Sequence, residues 1–164
     1  MEEEDGMKKI IAALLGALLA AFVIDNKETK NKQRLQSTSD KYMDLFKLMN
    51  QWVKVKQEEK NLSEYFKAKG YKTIGIYGMS YAGETLVAEL VGTGVTVLYG
   101  IDQRMSGTVA GIDMVSLNDI REGADVIVVT AIAYFDEIEK NLQKKVKCPI
   151  VSLEEVIFEV QHMM

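Results

Sequence analysis

The stretch that most constrains the fold is Thr73–Gly83, TIGIYGMSYAG, continued by ETLVAELVG. Thr73, Ile74, Ile76 and Tyr77 are β-branched or aromatic, the residue types that suit a pleated strand, and the run stops at Gly78. Beyond the glycines, Leu86, Val87 and Leu90 recur on one side of a helix. Strand, tight glycine turn and helix form the opening unit of a dinucleotide-type α/β fold. Such a turn sets backbone N–H groups at a helix N-terminus, where the helix dipole favours a phosphate.

The following sequence extends this unit. Val95–Gly100 (VTVLYG) reads as a second strand running into Ile101 and Asp102, and Ile112–Val115 as a short third. Ser116 with Asp119 signals a brief helix ended by Gly123. Asp125–Ile132 (DVIVVTAI) is almost continuously apolar, as a central parallel strand covered on both faces must be. Phe135–Lys145 reads as a helix and Pro149–Val151 as a fifth strand, while Ser152 with Glu155 caps a closing helix, Leu153–Val160. Upstream, Asn61 with Glu64 caps a short helix, Leu62–Lys69, that Gly70 stops. No helical pattern fits between Asp102 and Ile112, so a loop is expected there. Residues 61–164 are therefore expected to form an α/β domain with a five-stranded parallel sheet in the order 3-2-1-4-5, helices on both faces and N-terminal helices preceding it. This is about half of a full dinucleotide domain.

The dinucleotide fingerprint G-x-G-x-x-G falls here on Gly78-Met79-Ser80-Tyr81-Ala82-Gly83. The first and third glycines are present. Ser80 holds the middle place, where glycine lets a pyrophosphate approach the backbone closely; serine keeps the N–H and adds a hydroxyl, but its Cβ obstructs that approach. Ser80 equally suits N-cap duty for the helix. Asp102, twenty-four residues after Gly78, sits where an acid accepts a ribose hydroxyl, and it is otherwise an ordinary loop aspartate. Arg104 either meets a phosphate or is solvated. Thr130 and Ala131 end the apolar strand and are expected at the mouth of the crevice beside the glycine turn. Tyr134 and Phe135 follow, as walls for a base or sugar or as core.

Composition narrows the chemistry. Of 164 residues, 48% are hydrophobic and 27% charged, which is globular rather than disordered. A net charge of −4 argues against nucleic acid, since phosphate neutralisation needs clustered Lys and Arg. The lone cysteine, Cys148, lies in an apolar run and reads as a small buried hydrophobe. His162 is the one histidine, so neither a His-based triad nor a zinc cluster is expected, and no catalytic or metal residue is assigned.

Two segments precede the α/β domain. Residues 1–24 contain the uncharged run Ile10–Ile24, IIAALLGALLAAFVI, about 22 Å long as a helix and short against a hydrocarbon core of about 30 Å. Ala12, Gly16 and Ala20 make a small-residue face suited to helix packing in lipid. An uncleaved membrane anchor is the favoured reading over a signal peptide, whose n-region would be spoiled by Glu2, Glu3, Glu4 and Asp5, or a helix buried against protein. Lys27, Lys30, Lys32 and Arg34 behind the run outnumber Lys8 and Lys9 ahead of it, so the following domain is expected on the cytoplasmic face. Residues 25–60 begin as a polar linker. From Ser39, the residues Tyr42, Leu45, Phe46, Met49, Trp52 and Val53 form an apolar helical stripe, expected to pack on the domain or, through residues 39–56, on a twin in a homodimer.

The segments YGMSYAGETLVAEL, GID at 100–102, DVIVVTAI with FDEI, and PIVSLEEV resemble small Rossmann-like modules of bacterial sugar and capsule biosynthesis, appended to glycosyltransferase-type proteins. Similar half-domains bind nucleotide sugars in sugar acyltransferases. The resemblance covers residues 61–160. It implies that the turn Gly78–Gly83 and Asp102 hold the ligand, a nucleotide sugar ahead of NAD or CoA. In those acyltransferases the half-domain works beside a separate catalytic domain, so the resemblance implies an accessory binding role for this chain, with an NAD-dependent reductase or epimerase and a membrane-tethered scaffold as the alternatives.

Overall fold

The computed structural model describes residues 34–102 and 106–163. The expected anchor over residues 10–24, most of the linker and Arg104 lie outside them. Among the described residues no helix is long and apolar enough to cross a membrane. The chain divides into two compact units, Met1–Met43 and Asp44–Met164. In the first, residues 34–43 are helical and mostly exposed.

The second unit is an α/β domain built on one six-stranded, mostly parallel sheet. A helix over residues 44–57 (α1) leads to α2 (Ser63–Lys69), then β1 (Thr73–Tyr77), α3 (Tyr81–Leu90) and β2 (Thr96–Ile101). After these come β3 (Gly107–Val109), β4 (Ile112–Val115), β5 (Val126–Val129), a 3-10 turn (Ile132–Tyr134), α4 (Phe135–Leu142), β6 (Ile150–Ser152) and α5 (Leu153–His162). The strands lie in the order β3-β4-β2-β1-β5-β6. Every pairing is parallel except β3 with β4.

That antiparallel pair corrects the expected five strands and the expected loop. Gly107–Val109 folds back on Ile112–Val115 through Ala110 and Gly111, whose φ values are +50° and +79°. Two positive φ values in a two-residue connection are the I′ hairpin geometry, whose twist matches the flanking strands. The sheet therefore gains an edge strand beyond β4.

All four residues of β5 are buried, because helices cover both faces. Ile74 and Ile76 of β1 with Val126 and Val128 of β5 face α1, α2, α3 and α5. Ile127 and Val129 face the other way, with Tyr99, toward Ile138 and Leu142 of α4. Gly75 is small on that second face because the Tyr99 ring lies over it: a Cβ there would come within 2.8 Å of Tyr99 Cε2. The carboxylate of Asp125 ties the strand starts together, accepting from Lys72 N and Thr73 N (2.8 Å each) and from Thr73 Oγ1 (2.9 Å).

Two helix caps form as the sequence signals. Asn61 Oδ1 accepts from Ser63 N at 2.8 Å while Glu64 Oε1 accepts from Asn61 N at 3.0 Å. Ser152 Oγ accepts from Glu155 N at 3.0 Å. The brief helix expected after Ser116 does not form; residues 116–125 are a turn at 117–118 followed by bends and irregular chain. There the Ser116 hydroxyl donates to Asp119 Oδ2 at 2.6 Å, so that carboxylate is bound to a side chain instead of starting a helix. The expected stripe holds in part: Leu45, Met49 and Trp52 pack inward, but its centre is shifted toward Leu48 and Val55. Leu48, Trp52 and Val55 are buried, whereas Phe46 (68%) and Val53 (51%) are exposed. Leu48, Trp52 and Val55 fall at four- and three-residue steps, one helix face, and Glu89 of α3 ties that face down, accepting the Trp52 indole N–H at 2.6 Å and Lys56 Nζ at 3.2 Å as well as the Leu62 N–H at 2.8 Å.

Candidate functional site: the β1–α3 turn and the crevice beside it

β1 continues through α3 on one face to β2, whereas β5 continues through α4 on the opposite face to β6. The two crossovers step in opposite directions along the sheet on opposite faces, so they share one hand, as parallel units must. The connections diverge between β1 and β5, and ligands of open α/β sheets bind outside the carboxyl ends of the strands at such a point.

The turn at this point is held from three sides. Gly78 has φ +95°, a left-handed conformation that favours glycine, and its N–H donates to Ile101 O at 2.9 Å. Gly83 packs the first turn of α3 directly on β1: a Cβ there would fall onto the carbonyl oxygen of Gly78. Thr130 closes the third side. Its hydroxyl donates to Gly78 O at 2.5 Å, with Tyr77 O at 3.2 Å, and its N–H donates to Tyr77 O at 2.9 Å.

The sequence-derived candidates therefore separate into two groups. Gly78, Gly83 and Thr130 shape the turn. Met79 and Ala82 are buried; the Met79 side chain lies against Gly100, where a Cβ would approach Met79 Cγ within 2.6 Å, so both anchor the turn in the core. Ser80 and Tyr81 face solvent, Tyr81 with 77% exposure. Ser80 is the N-cap of α3 by position, and its carbonyl accepts from Glu84 N at 2.9 Å, but its hydroxyl makes no capping bond. The N–H groups of Tyr81, Ala82 and Gly83 stand in the first helical turn, where no carbonyl of the helix itself is in register to accept them. Asp102 follows β2 directly, half-buried, beside the Gly78–Ile101 bond. Ala131 abuts the turn on the other side, its N within 3.5 Å of a Cβ placed on Gly78. Tyr134 is exposed, whereas Phe135 packs partly into the α4 face.

Two concavities adjoin the sheet ends. One, of about 270 Å³, is bounded by Asp44, Lys47, Leu48 and Gln51 of α1, by Ile132 and Ala133 just beyond β5, and by Glu154 at the start of α5. It opens at the same sheet edge as the glycine turn. Its polar residues were not picked out from sequence, although Asp44, Lys47 and Gln51 follow at three- and four-residue steps, one face of a helix. The other, of about 310 Å³, lies at the opposite edge, where Tyr99 and Cys148 meet Arg121, Lys145 and Lys147. Burial pushes the Cys148 thiol and the Tyr99 phenol up, which leaves the cysteine a protonated, weakly reactive packing residue. Among the described residues no group of three or more His, Cys, Asp or Glu side chains is set to hold a metal ion. No protein family, curated protein or solved structure matches the chain.

Proposed function

We propose that the α/β unit is a Rossmann-like half-domain that binds a nucleotide or nucleotide sugar and serves cell-surface polysaccharide synthesis as an accessory module without catalysis of its own. The observation that carries this reading is Gly83 packed on the Gly78 carbonyl. That contact lets α3 start hard against β1, with its first N–H groups at the divergence point of the two crossovers. The same close helix–strand approach is the role of the third glycine in the dinucleotide fingerprint. The parallel order β4-β2-β1-β5-β6 around it supports the reading too, with Asp102 on the β2 side of the turn for a ribose. Ser80 departs from the middle glycine of the dinucleotide fingerprint, and its uncapped hydroxyl suits a phosphate oxygen. Calorimetric titration of the full chain with UDP-glucose, NAD and CoA tests this. Saturable heat with the nucleotide sugar is expected, and saturable binding of NAD in its place would favour the reductase or epimerase reading instead.

A scaffold with a degenerate site is the second reading. It is favoured by Ser80, which stands where the dinucleotide fingerprint has its middle glycine. Absence of heat with all three ligands would select it. On either reading the protein works at the cytoplasmic face of a membrane, anchored through residues 10–24, and self-associates through residues 39–56; exposed Phe46 and Val53 support the second point. Fractionation of full-length protein tests the anchor, and light scattering tests the association.

A further inference from the structure

Resting on the nucleotide reading above, we infer that the cavity of about 270 Å³ beside α1 seats the uncharged, hydroxyl-rich group on the distal phosphate, a sugar ring. Asp44, Gln51 and Glu154 are its recognition residues.

Position carries the first part of the argument. Asp102 follows β2 on one side of β1, while Ala131 touches the turn from β5 on the other, and the next residues, Ile132 and Ala133, already line the cavity. With β2, β1, β5 and β6 adjacent in that order, three interstrand spacings amount to about 14 Å. A ligand with its ribose at Asp102 and its phosphates over α3 therefore points its far end across β5 and β6, where the cavity lies.

Size and chemistry carry the second part. The volume falls just below the ~300–1,000 Å³ that holds a whole drug-sized ligand, so the cavity takes one ring of a larger molecule rather than all of it. Its rim offers two carboxylates, an amide and one ammonium, with Lys47 Nζ only loosely paired to Asp44 at 3.9 Å. Two carboxylates repel a further phosphate, but they accept hydrogen bonds from neutral hydroxyls. Buried Leu48 and half-buried Ile132 form an apolar floor for the C–H face of a sugar. The bonds from Trp52 and Lys56 of α1 to Glu89 of α3 tie α1 down beside this floor.

The test is calorimetric titration of the full chain with three pairs of probes: UDP-glucose and UDP, ADP-glucose and ADP, GDP-mannose and GDP. For the nucleotide that binds, the sugar form is expected about tenfold tighter than the bare diphosphate, the value of one or two added hydrogen bonds. In Gln51→Ala and Asp44→Asn that ratio is expected to fall toward one. Circular dichroism checks that both variants fold, as substitution on an accessible helix face should allow. A diphosphate that binds with no gain from its sugar overturns this inference and leaves the nucleotide reading standing. A ratio that survives in both variants also overturns it. Failure of all six probes removes the nucleotide reading and this inference with it.

Discussion

Replacing Glu89 with alanine removes one carboxylate that serves three donors from two other segments. The side chain is 7% exposed, so the Trp52 indole N–H and the Leu62 backbone N–H lose their acceptor where water reaches poorly. Leaving a buried donor unsatisfied costs about 1–3 kcal/mol, and bonds to a charged acceptor lie toward the upper end. Two donors give about 3–5 kcal/mol after the small gain from alanine's helix propensity. The Lys56 pair, whose lysine side chain is half-exposed, adds under about 1 kcal/mol. Against a typical total of about 5–15 kcal/mol this is a large fraction. Urea unfolding followed through Trp52, the sole tryptophan, measures it directly. Glu89→Gln, which keeps one acceptor oxygen, is expected to cost about half as much. Adding Trp52→Phe to Glu89→Ala should cost less than the sum of the single changes, since the orphaned indole donor is gone. A Glu89→Ala protein within about 1 kcal/mol of wild type would refute the claim that this carboxylate locks α1 to α3.

Gly83→Ala would gain about 0.5–1 kcal/mol in an unconstrained helix, yet here a net loss of about 2 kcal/mol is expected, because the new Cβ lands on the Gly78 carbonyl; a stabilised variant in the same urea assay would show that α3 does not pack this closely. Ala110→Asn relieves a left-handed φ of +50° in the β3–β4 hairpin and should raise stability by about 0.5 kcal/mol, whereas a loss would refute the I′ turn. Backbone N–H donors from Lys72 and then Thr73 hold the Asp125 carboxyl below its ordinary value of 3.8, so its contribution is present above that value and lost as pH falls through the lowered one. The difference in thermal midpoint between wild type and Asp125→Asn should accordingly shrink as the pH is taken from 5 to 3, and a gap that stays constant would show that this clamp does not titrate.

What the sequence made legible was local. Gly78 had to be a glycine for its positive φ, and Ser152 and Asn61 cap with their own side chains a few residues away. The parallel core strands follow from apolar runs such as Val126–Val129, which need cover on both faces. What stayed hidden depended on distant partners. Phe46 and Val53 are as apolar as Leu48 and Val55, and which pair is buried depends on distant partners: the core of the other helices and Glu89, which reaches Trp52 from 37 residues away. β3 was missed because its turn is Ala110-Gly111 rather than the Asn-Gly that marks such hairpins. The cavity's acids, Asp44 and Glu154, stand 110 positions apart in the chain, and no local pattern joins them.

This division bears on how the candidate site would discriminate between ligands. The Gly78 carbonyl is engaged by Thr130 and covered by Gly83, and Met79 and Ala82 are buried. The turn thus has little freedom to adjust, and its N–H groups present the same face to any phosphate. Selectivity on the nucleotide reading must therefore come from side chains at either end: Asp102 beyond β2, and the α1 and α5 residues around the cavity. Asp102 is legible from its spacing after Gly78, whereas the α1 and α5 residues are what sequence pattern reveals least, because helix packing and not turn chemistry brings them to the site. On that reading a chain could keep the whole glycine motif and still change its ligand by rotating α1, a rotation that the Trp52 and Lys56 bonds to Glu89 and the burial of Leu48 and Val55 oppose here.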